Sequence, residues 1–223
     1  MAAVDDQDAL KRAAGVHAAS YVTDGMRVGL GTGSTVRFTI EAIAAAGVDV
    51  DCTATSVQTR DLAVGLGLRV VAPDALGALD LAIDGADEVD PALNLTKGGG
   101  GALTREKVVA QMAARFVVVA DESKLVDVLG GFGTPLEVLD FAPGAVEARL
   151  RDLGAASVSV RDVRSDNANL LVDARFGATI TDPVALGTSL SAIAGVVEHG
   201  LFYGDTVERV VVAGTSGIRE LTR

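Results

Sequence analysis

Four short stretches of this sequence gather groups that bind or transfer charge. Gly31-Thr32-Gly33-Ser34-Thr35 follows an apolar run and precedes a helical pattern. At such a junction glycines let the backbone approach a ligand, and the helix start offers free N–H groups and positive dipole to an anion. The hydroxyls of Thr32, Ser34 and Thr35 add donors suited to phosphate oxygens; a tight turn with a serine cap is the plainer alternative. Asp84 and Asp87 flank Gly85-Ala86, so both carboxylates can face one site, either to hold Mg2+ or to do acid–base work. Lys97 is followed by four glycines, each costly in backbone entropy. A loop folded tightly around a small ligand while placing Lys97 accounts for them better than a flexible hinge. Asp121-Glu122-Ser123-Lys124 closes another apolar run.

The elements that must position these groups alternate in type. Strands are expected over 26–30, 50–55, 68–71, 79–83 and 116–120. Helices are expected over 7–23, from the end of Gly31–Thr35 through Ala46-Gly47, over 57–66 and over 102–114. Alternating strands and helices imply a parallel sheet covered on both faces, a Rossmann-like doubly wound α/β fold. Ligands of such sheets gather beyond the carboxyl ends of the strands, where Gly31–Thr35, Asp84–Asp87 and Asp121–Lys124 fall; Lys97 and its glycines lie between the last two and feed into the helix that carries Glu106. After about residue 129 the pattern changes to a strand (136–141), a helix from Pro143 to Gly154, strands over 157–162 and 169–175, a helix from Asp182-Pro183 and a strand over 196–202. This βαββαβ order is that of a ferredoxin-like α+β unit. A last strand over 207–213 returns to the first type. The expected organisation is a Rossmann-like domain of residues 1–129 plus 205–223, with an α+β domain of residues 130–204 inserted.

Composition removes several classes of function. A net charge of −11 argues against a nucleic-acid partner, which needs a basic face. No apolar run approaches the roughly 18–20 residues of a membrane span, and the acidic start Met1-Ala2-Ala3-Val4-Asp5-Asp6 is unlike a signal peptide; a soluble cytoplasmic protein is expected. Cys52 is the only cysteine, and His17 and His199 lie far apart, so neither a disulfide nor a Cys- or His-based metal site is expected. Only four lysines stand against fifteen arginines, which makes Lys97 and Lys124 within these stretches informative. The Asp excess and Lys scarcity fit either adaptation to high salt or a merely acidic, alanine-rich proteome.

Taken together and in order, Gly31–Thr35, Asp84-Gly85-Ala86-Asp87-Glu88, Lys97-Gly98-Gly99-Gly100, Leu103-Thr104-Arg105-Glu106-Lys107 and Ser123-Lys124 resemble the motifs of A-type ribose-5-phosphate isomerases. The resemblance continues through Gly195–Phe202 and Gly214-Thr215, with Ala168 standing where that family often has glycine. It implies an aldose–ketose isomerase of the pentose phosphate pathway that interconverts ribose 5-phosphate and ribulose 5-phosphate, needs no metal or other cofactor, and assembles as a homodimer or homotetramer. It further implies that Glu106 is the general base, that Asp84, Asp87 and Lys97 surround the O1/O2 end and the ring oxygen, and that Thr32, Gly33, Ser34, Thr35, Gly98, Gly99, Lys124 and Lys11 bind substrate. On residues alone Glu106 reads more readily as a solvated helix glutamate. Two other classes compete. An NAD(P)-dependent oxidoreductase is hinted at by Gly29-Leu30-Gly31, but Ser34 replaces the third fingerprint glycine and no acid ends the second strand. A non-catalytic sugar-phosphate sensor would bind without turnover.

Overall fold

The computed structural model describes residues 2–177 and 179–223, and side chains from residue 7 onward. The acidic opening, on which the signal-peptide argument rests, therefore lies outside the described side chains. In chain order the elements begin with α1 (Ala2–Ala19), β1 (Arg27–Leu30), α2 (Ser34–Ala46), β2 (Asp51–Ala54), α3 (Val57–Gly65), β3 (Arg69–Val70) and α4 (Pro73–Leu76). They continue with β4 (Leu81–Gly85), β5 (Glu88–Val89), β6 (Leu95–Thr96), α5 (Leu103–Met112), β7 (Phe116–Asp121), β8 (Thr134–Val138), α6 (Pro143–Asp152) and β9 (Ser157–Arg164). The last are β10 (Leu170–Arg175), α7 (Pro183–Ser191), β11 (Val196–His199), β12 (Leu201–Phe202), β13 (Arg209–Gly214) and β14 (Gly217–Thr222). No described helix is long and apolar enough to cross a membrane. The chain divides into two compact units, one of Met1–Gly85, Arg105–Lys124 and Asp205–Arg223, the other of Ala86–Thr104 and Leu125–Gly204.

The first unit is built on a seven-stranded sheet in the order β14-β13-β7-β4-β1-β2-β3, parallel throughout except for the β13–β14 pair. From β3 to β13 this is the doubly wound order, which reverses direction between β1 and β4. Strands buried on both faces read as continuous apolar runs, as in the wholly buried β7. Val36, Ile40 and Ile43 recur at helical spacing along α2 and pack with Ala14 and Ala18 of α1 over Leu30, Ile83 and Val119. The alternate strand positions face the other way: a side chain at Gly29 would meet Val109 of α5. Helices thus cover both faces.

The edge strand β14 was not expected, because Gly217–Thr222 is largely exposed and carries no apolar alternation. Polar contacts hold it. Glu220 accepts from the Tyr21 hydroxyl, from His17 Nε2 at 2.8 Å and from Arg209 Nη1 at 2.5 Å. The Tyr21 and His17 hydrogen bonds, followed by Arg209, pull the Glu220 carboxyl down to about 2 from its ordinary 4.5. A depressed carboxyl stabilises the fold above its unfolded pKa and loses that contribution as pH falls through the folded value. The network should therefore contribute fully above about pH 5 and fade between 4.5 and 2. Because Glu220 is about one-third exposed, the contribution is screened to about 1 kcal/mol. Urea unfolding at pH 6 and pH 3 should show Glu220→Gln less stable than the wild type at the higher pH, with a smaller gap at the lower. An equal gap at both values would remove the ionised carboxylate from the account.

The second unit holds a four-stranded antiparallel sheet in the order β11-β8-β10-β9 and a three-stranded one in the order β12-β6-β5. Val146 and Leu150 of α6 and Leu190 of α7 pack with Leu136, Val138, Val172 and Ala174 on one face of the larger sheet. The expected single strand over 196–202 is instead two strands in different sheets, divided at Gly200. There Gly200 N donates to Pro135 O at 2.7 Å, Gly200 O accepts from Lys97 N at 2.8 Å, and any Cβ would collide with the Lys97 carbonyl. Residues 86–104 and 125–129, expected with the large sheet, fall in this unit because β5 and β6 pair with β12 and Val126 N donates to Val89 O. Ala168 adopts φ 66°, a left-handed conformation that costs a residue with a Cβ about 1 kcal/mol. It lies in a turn whose Ser165, Asn167 and Asn169 side chains donate to the buried Glu137 carboxylate. Burial alone would raise the Glu137 pKa; donors from Thr104 and from this turn outweigh it and bring the group below its usual value.

Candidate active site

In the first unit the candidate residues cluster where the sheet reverses. The carboxyl ends of parallel β1, β2, β4 and β7 lead into Gly31-Thr32, Thr55-Ser56, Asp84-Gly85 and Asp121 to Lys124. Asp84, 3 % exposed, accepts at Oδ1 from Thr32 N at 3.1 Å and from Gly85 N at 2.7 Å. Its carboxylate lies over Gly31, where a Cβ would overlap it. Gly31 is therefore required by close approach, and the carboxylate is fixed by backbone donors before any ligand arrives.

The Thr32 hydroxyl is committed to the protein. It lies 2.8 Å from Thr55 Oγ1 and Ser56 Oγ and 3.1 Å from Thr59 Oγ1, while Thr59 Oγ1 donates to Gly31 O at 2.9 Å. Ser56 also caps α3, accepting from Thr59 N at 3.0 Å. This hydroxyl cluster was not expected from sequence, although Ser56-x-x-Thr59 before a helix is a readable cap spacing. Gly33 precedes α2 with no side-chain cap, and Ser34 and Thr35 form the first helical positions, with no acidic residue in that turn. The α2 start so retains its positive end for an anion. Lys11 on α1 lies 3.8 Å from Asp8 Oδ1. Lys124 ends a short 3₁₀ turn whose Ser123 N donates to Asp121 Oδ1 at 3.0 Å. Glu106 lies in the first turn of α5 and is 4 % exposed, so it is not a solvated helix glutamate.

In the second unit Asp87, Lys97, Gly98 and Gly99 form one local arrangement. Asp87 N donates to Thr96 O at 2.8 Å, and Asp87 Oδ2 accepts from Gly99 N at 2.8 Å. Lys97, 2 % exposed, has its ammonium 5.5 Å from the centre of the Phe202 ring, within cation–π range. Gly98 O accepts from Gly101 N at 3.0 Å, closing a turn over the glycines. The neighbouring Glu88 serves the frame: it accepts from Thr96 Oγ1 and from the backbone N–H groups of Gly130 and Phe132. Asp84 and Asp87 thus each give an oxygen to backbone N–H donors, an arrangement suited to oriented acid–base groups.

The model of the family described as ribose 5-phosphate isomerase A (phosphoriboisomerase A) matches residues 51–217. A ribose-5-phosphate isomerase A of Desulfatibacillum aliphaticivorans is 47 % identical, over 96 % of this chain and 97 % of its own. The crystal structure of ribose 5 phosphate isomerase A from Neisseria gonorrhoeae superposes with a TM-score of 0.93 at 35 % identity, covering 97 % of each chain. A D-ribose-5-phosphate isomerase structure in complex with phospho-erythronic acid gives 0.92 at 36 % identity, over 96 % of this chain and 98 % of that one. With the expected motifs in place along a chain matched nearly end to end, this protein belongs to the ribose 5-phosphate isomerase A family.

Proposed function

We propose that this chain interconverts D-ribose 5-phosphate and D-ribulose 5-phosphate by moving one proton between C2 and C1, with Glu106 as the base. The observation that carries the reading is that three of the four ionisable residues assigned to the reaction, Asp84, Lys97 and Glu106, are buried, each no more than 4 % exposed, where a surface role would leave them in water. Glu106 takes the proton from C2 of the open-chain aldose; the C–H electron pair forms the C1=C2 double bond and negative charge moves to O1. A proton passes from O2 to O1 among Asp84, Asp87 and Lys97, and Glu106 returns its proton to C1, leaving the carbonyl at C2. The lysine ammonium and fixed donors stabilise the enediolate, without which a proton beside a carbonyl leaves too slowly.

The phosphate is assigned to Gly33, Ser34 and Thr35 at the α2 start, with Lys124 and Lys11. Thr32 shapes that loop through its hydroxyl cluster, and Gly98 and Gly99 present backbone to the sugar. Phospho-erythronic acid, the ligand of one relative, is a sugar-acid phosphate whose anionic ends suit such a division. The β8–β11 run, in the order β11-β8-β10-β9 with α6 and α7 on one face, is read as the inserted ferredoxin-like unit. In this reading the enzyme acts in the cytoplasm as a homodimer or homotetramer. An oxidoreductase lacks support, since Thr55 and Ser56, bonded to Thr32, stand after β2 where a ribose-binding acid would be needed. Ribulose 5-phosphate formation in excess EDTA should match that without chelator. Loss of turnover on chelation would replace the metal-free mechanism, and sugar-phosphate binding without turnover would favour a sensor.

A further inference from the structure

The glycine turn after Lys97 is held from behind by an ion pair on the β9–β10 hairpin. Arg161 of β9 forks onto Asp173 of β10, Nε to Oδ2 at 2.8 Å and Nη2 to Oδ1 at 2.6 Å. Its remaining nitrogen, Nη1, donates to Gly98 O at 2.9 Å and to Gly99 O at 3.2 Å. Asp173 beside the guanidinium raises the Arg161 pKa further, so the cation persists at every working pH.

The peptide geometry gives this contact a consequence. Gly98 C=O and Gly99 N–H belong to one peptide unit, and in a trans unit they point in opposite directions; no described peptide bond is cis. The carbonyl accepts from Arg161 as well as from Gly101 N, and the N–H donates to Asp87 Oδ2, so that plane is gripped from both sides. The Gly99 carbonyl also turns to Arg161, which directs the Gly100 N–H away from the guanidinium. Glycine peptides flip readily because no Cβ opposes the change, and Gly98 already sits at φ 114°. We propose that Arg161, oriented by Asp173, is a positioning residue for the isomerisation: it locks the Gly98–Gly99 and Gly99–Gly100 peptide planes and so holds the Asp87 carboxylate and the glycine-loop N–H groups in their working direction. This rests on the assignment of Asp87 and Lys97 to the substrate's O1/O2 end.

Five proteins test it: wild type, Arg161→Gln, Arg161→Lys, Asp173→Asn and the double variant Arg161→Gln/Asp173→Asn, each measured for kcat, KM and melting temperature. Arg161→Gln should lower kcat by ~10–100-fold with KM changed less than ~3-fold, as expected when an interaction matters mainly in the transition state. Arg161→Lys, which can still reach the carbonyls, should recover part of kcat. The double variant should be no slower than Arg161→Gln by more than ~3-fold, because the pair acts as a unit. A folded Arg161→Gln enzyme with kcat within about twofold of wild type overturns the proposal. So does a loss that Lys does not relieve and that follows the melting temperature across the four variants, which marks a purely structural pair. Wild-type turnover separates this failure from failure of the isomerase reading: an inactive wild type refutes the reaction, whereas an active wild type with an indifferent Arg161 refutes only the clamp.

Discussion

Glu106→Gln should lower kcat for ribose 5-phosphate by ~10²–10⁴-fold, the contribution of a positioned general base. Glutamine matches glutamate in size and occupies the same buried first-turn position of α5, so the helix and its packing should survive. KM should move only a few-fold, since the base acts on the transition state more than on the bound sugar phosphate. A coupled assay for the ketose, beside a melting curve, checks both halves of this expectation. A folded variant retaining more than about one-tenth of wild-type kcat would mean that another group removes the C2 proton.

The second large effect is expected at Lys97. Its ammonium is buried against the Phe202 ring, and its backbone is pinned by the Gly200 carbonyl, so the side chain starts from a fixed point. Charge that develops on O1 or O2 in a water-poor site depends on such a donor, and loss of one donor of this kind costs ~10²–10³-fold in kcat. Lys97→Met removes the ammonium while keeping an unbranched chain of similar volume. Exchanging a buried charge for a well-packed apolar group is often neutral or stabilising. The variant should therefore lose activity without losing its fold, with the melting temperature within about 5 °C of wild type. Low activity with collapsed stability would instead assign Lys97 a structural role, and near-normal activity would pass the oxyanion to other donors.

Those two residues mark how far the sequence could be read. The large sheet was legible because its strands, such as Phe116–Asp121, are apolar runs separated by helical patterns, and period and turn chemistry agree there. Loops at the strand ends follow from the parallel topology, so the positions of Gly31–Thr35, Asp84 and Lys124 beyond the strands are readable from the sequence alone. The two-residue strands β5, β6 and β12 could not be read, since no periodicity exists over such lengths. They exist because Glu88, Thr96 and Gly200 are held by partners distant in sequence. Nor did β14 announce itself, being polar and exposed, with Glu220 bonded to side chains of α1 and β13.

The site shows the same division. Gly31 reads as a point where backbone approaches a ligand and Gly200 as part of a strand over 196–202, whereas the structure requires glycine at both for close approach within the protein, to a carboxylate in one case and to a carbonyl in the other. Thr32 reads as a phosphate donor from its motif, but its hydroxyl is taken by Thr55, Ser56 and Thr59 across strands adjacent only in the folded sheet. Arg161 carries no local signal at all, since the carbonyls it holds lie more than sixty residues earlier. The sequence therefore revealed groups able to act chemically, while the groups that orient them emerged only from long-range packing.

The most direct test of the central claim is deuterium incorporation at C1 of ribulose 5-phosphate formed from ribose 5-phosphate in D2O, followed by NMR for wild type and Glu106→Gln. Proton transfer through an enediolate with Glu106 as base predicts a C1 hydrogen in the wild-type product drawn from C2 and, to the extent that the Glu106 carboxyl exchanges with D2O between the two steps, from solvent deuterium. In the variant it predicts product formation and C2 exchange slowed together by ~10²–10⁴-fold. A Glu106→Gln enzyme that forms ribulose 5-phosphate, or labels C1, at the wild-type rate would contradict it.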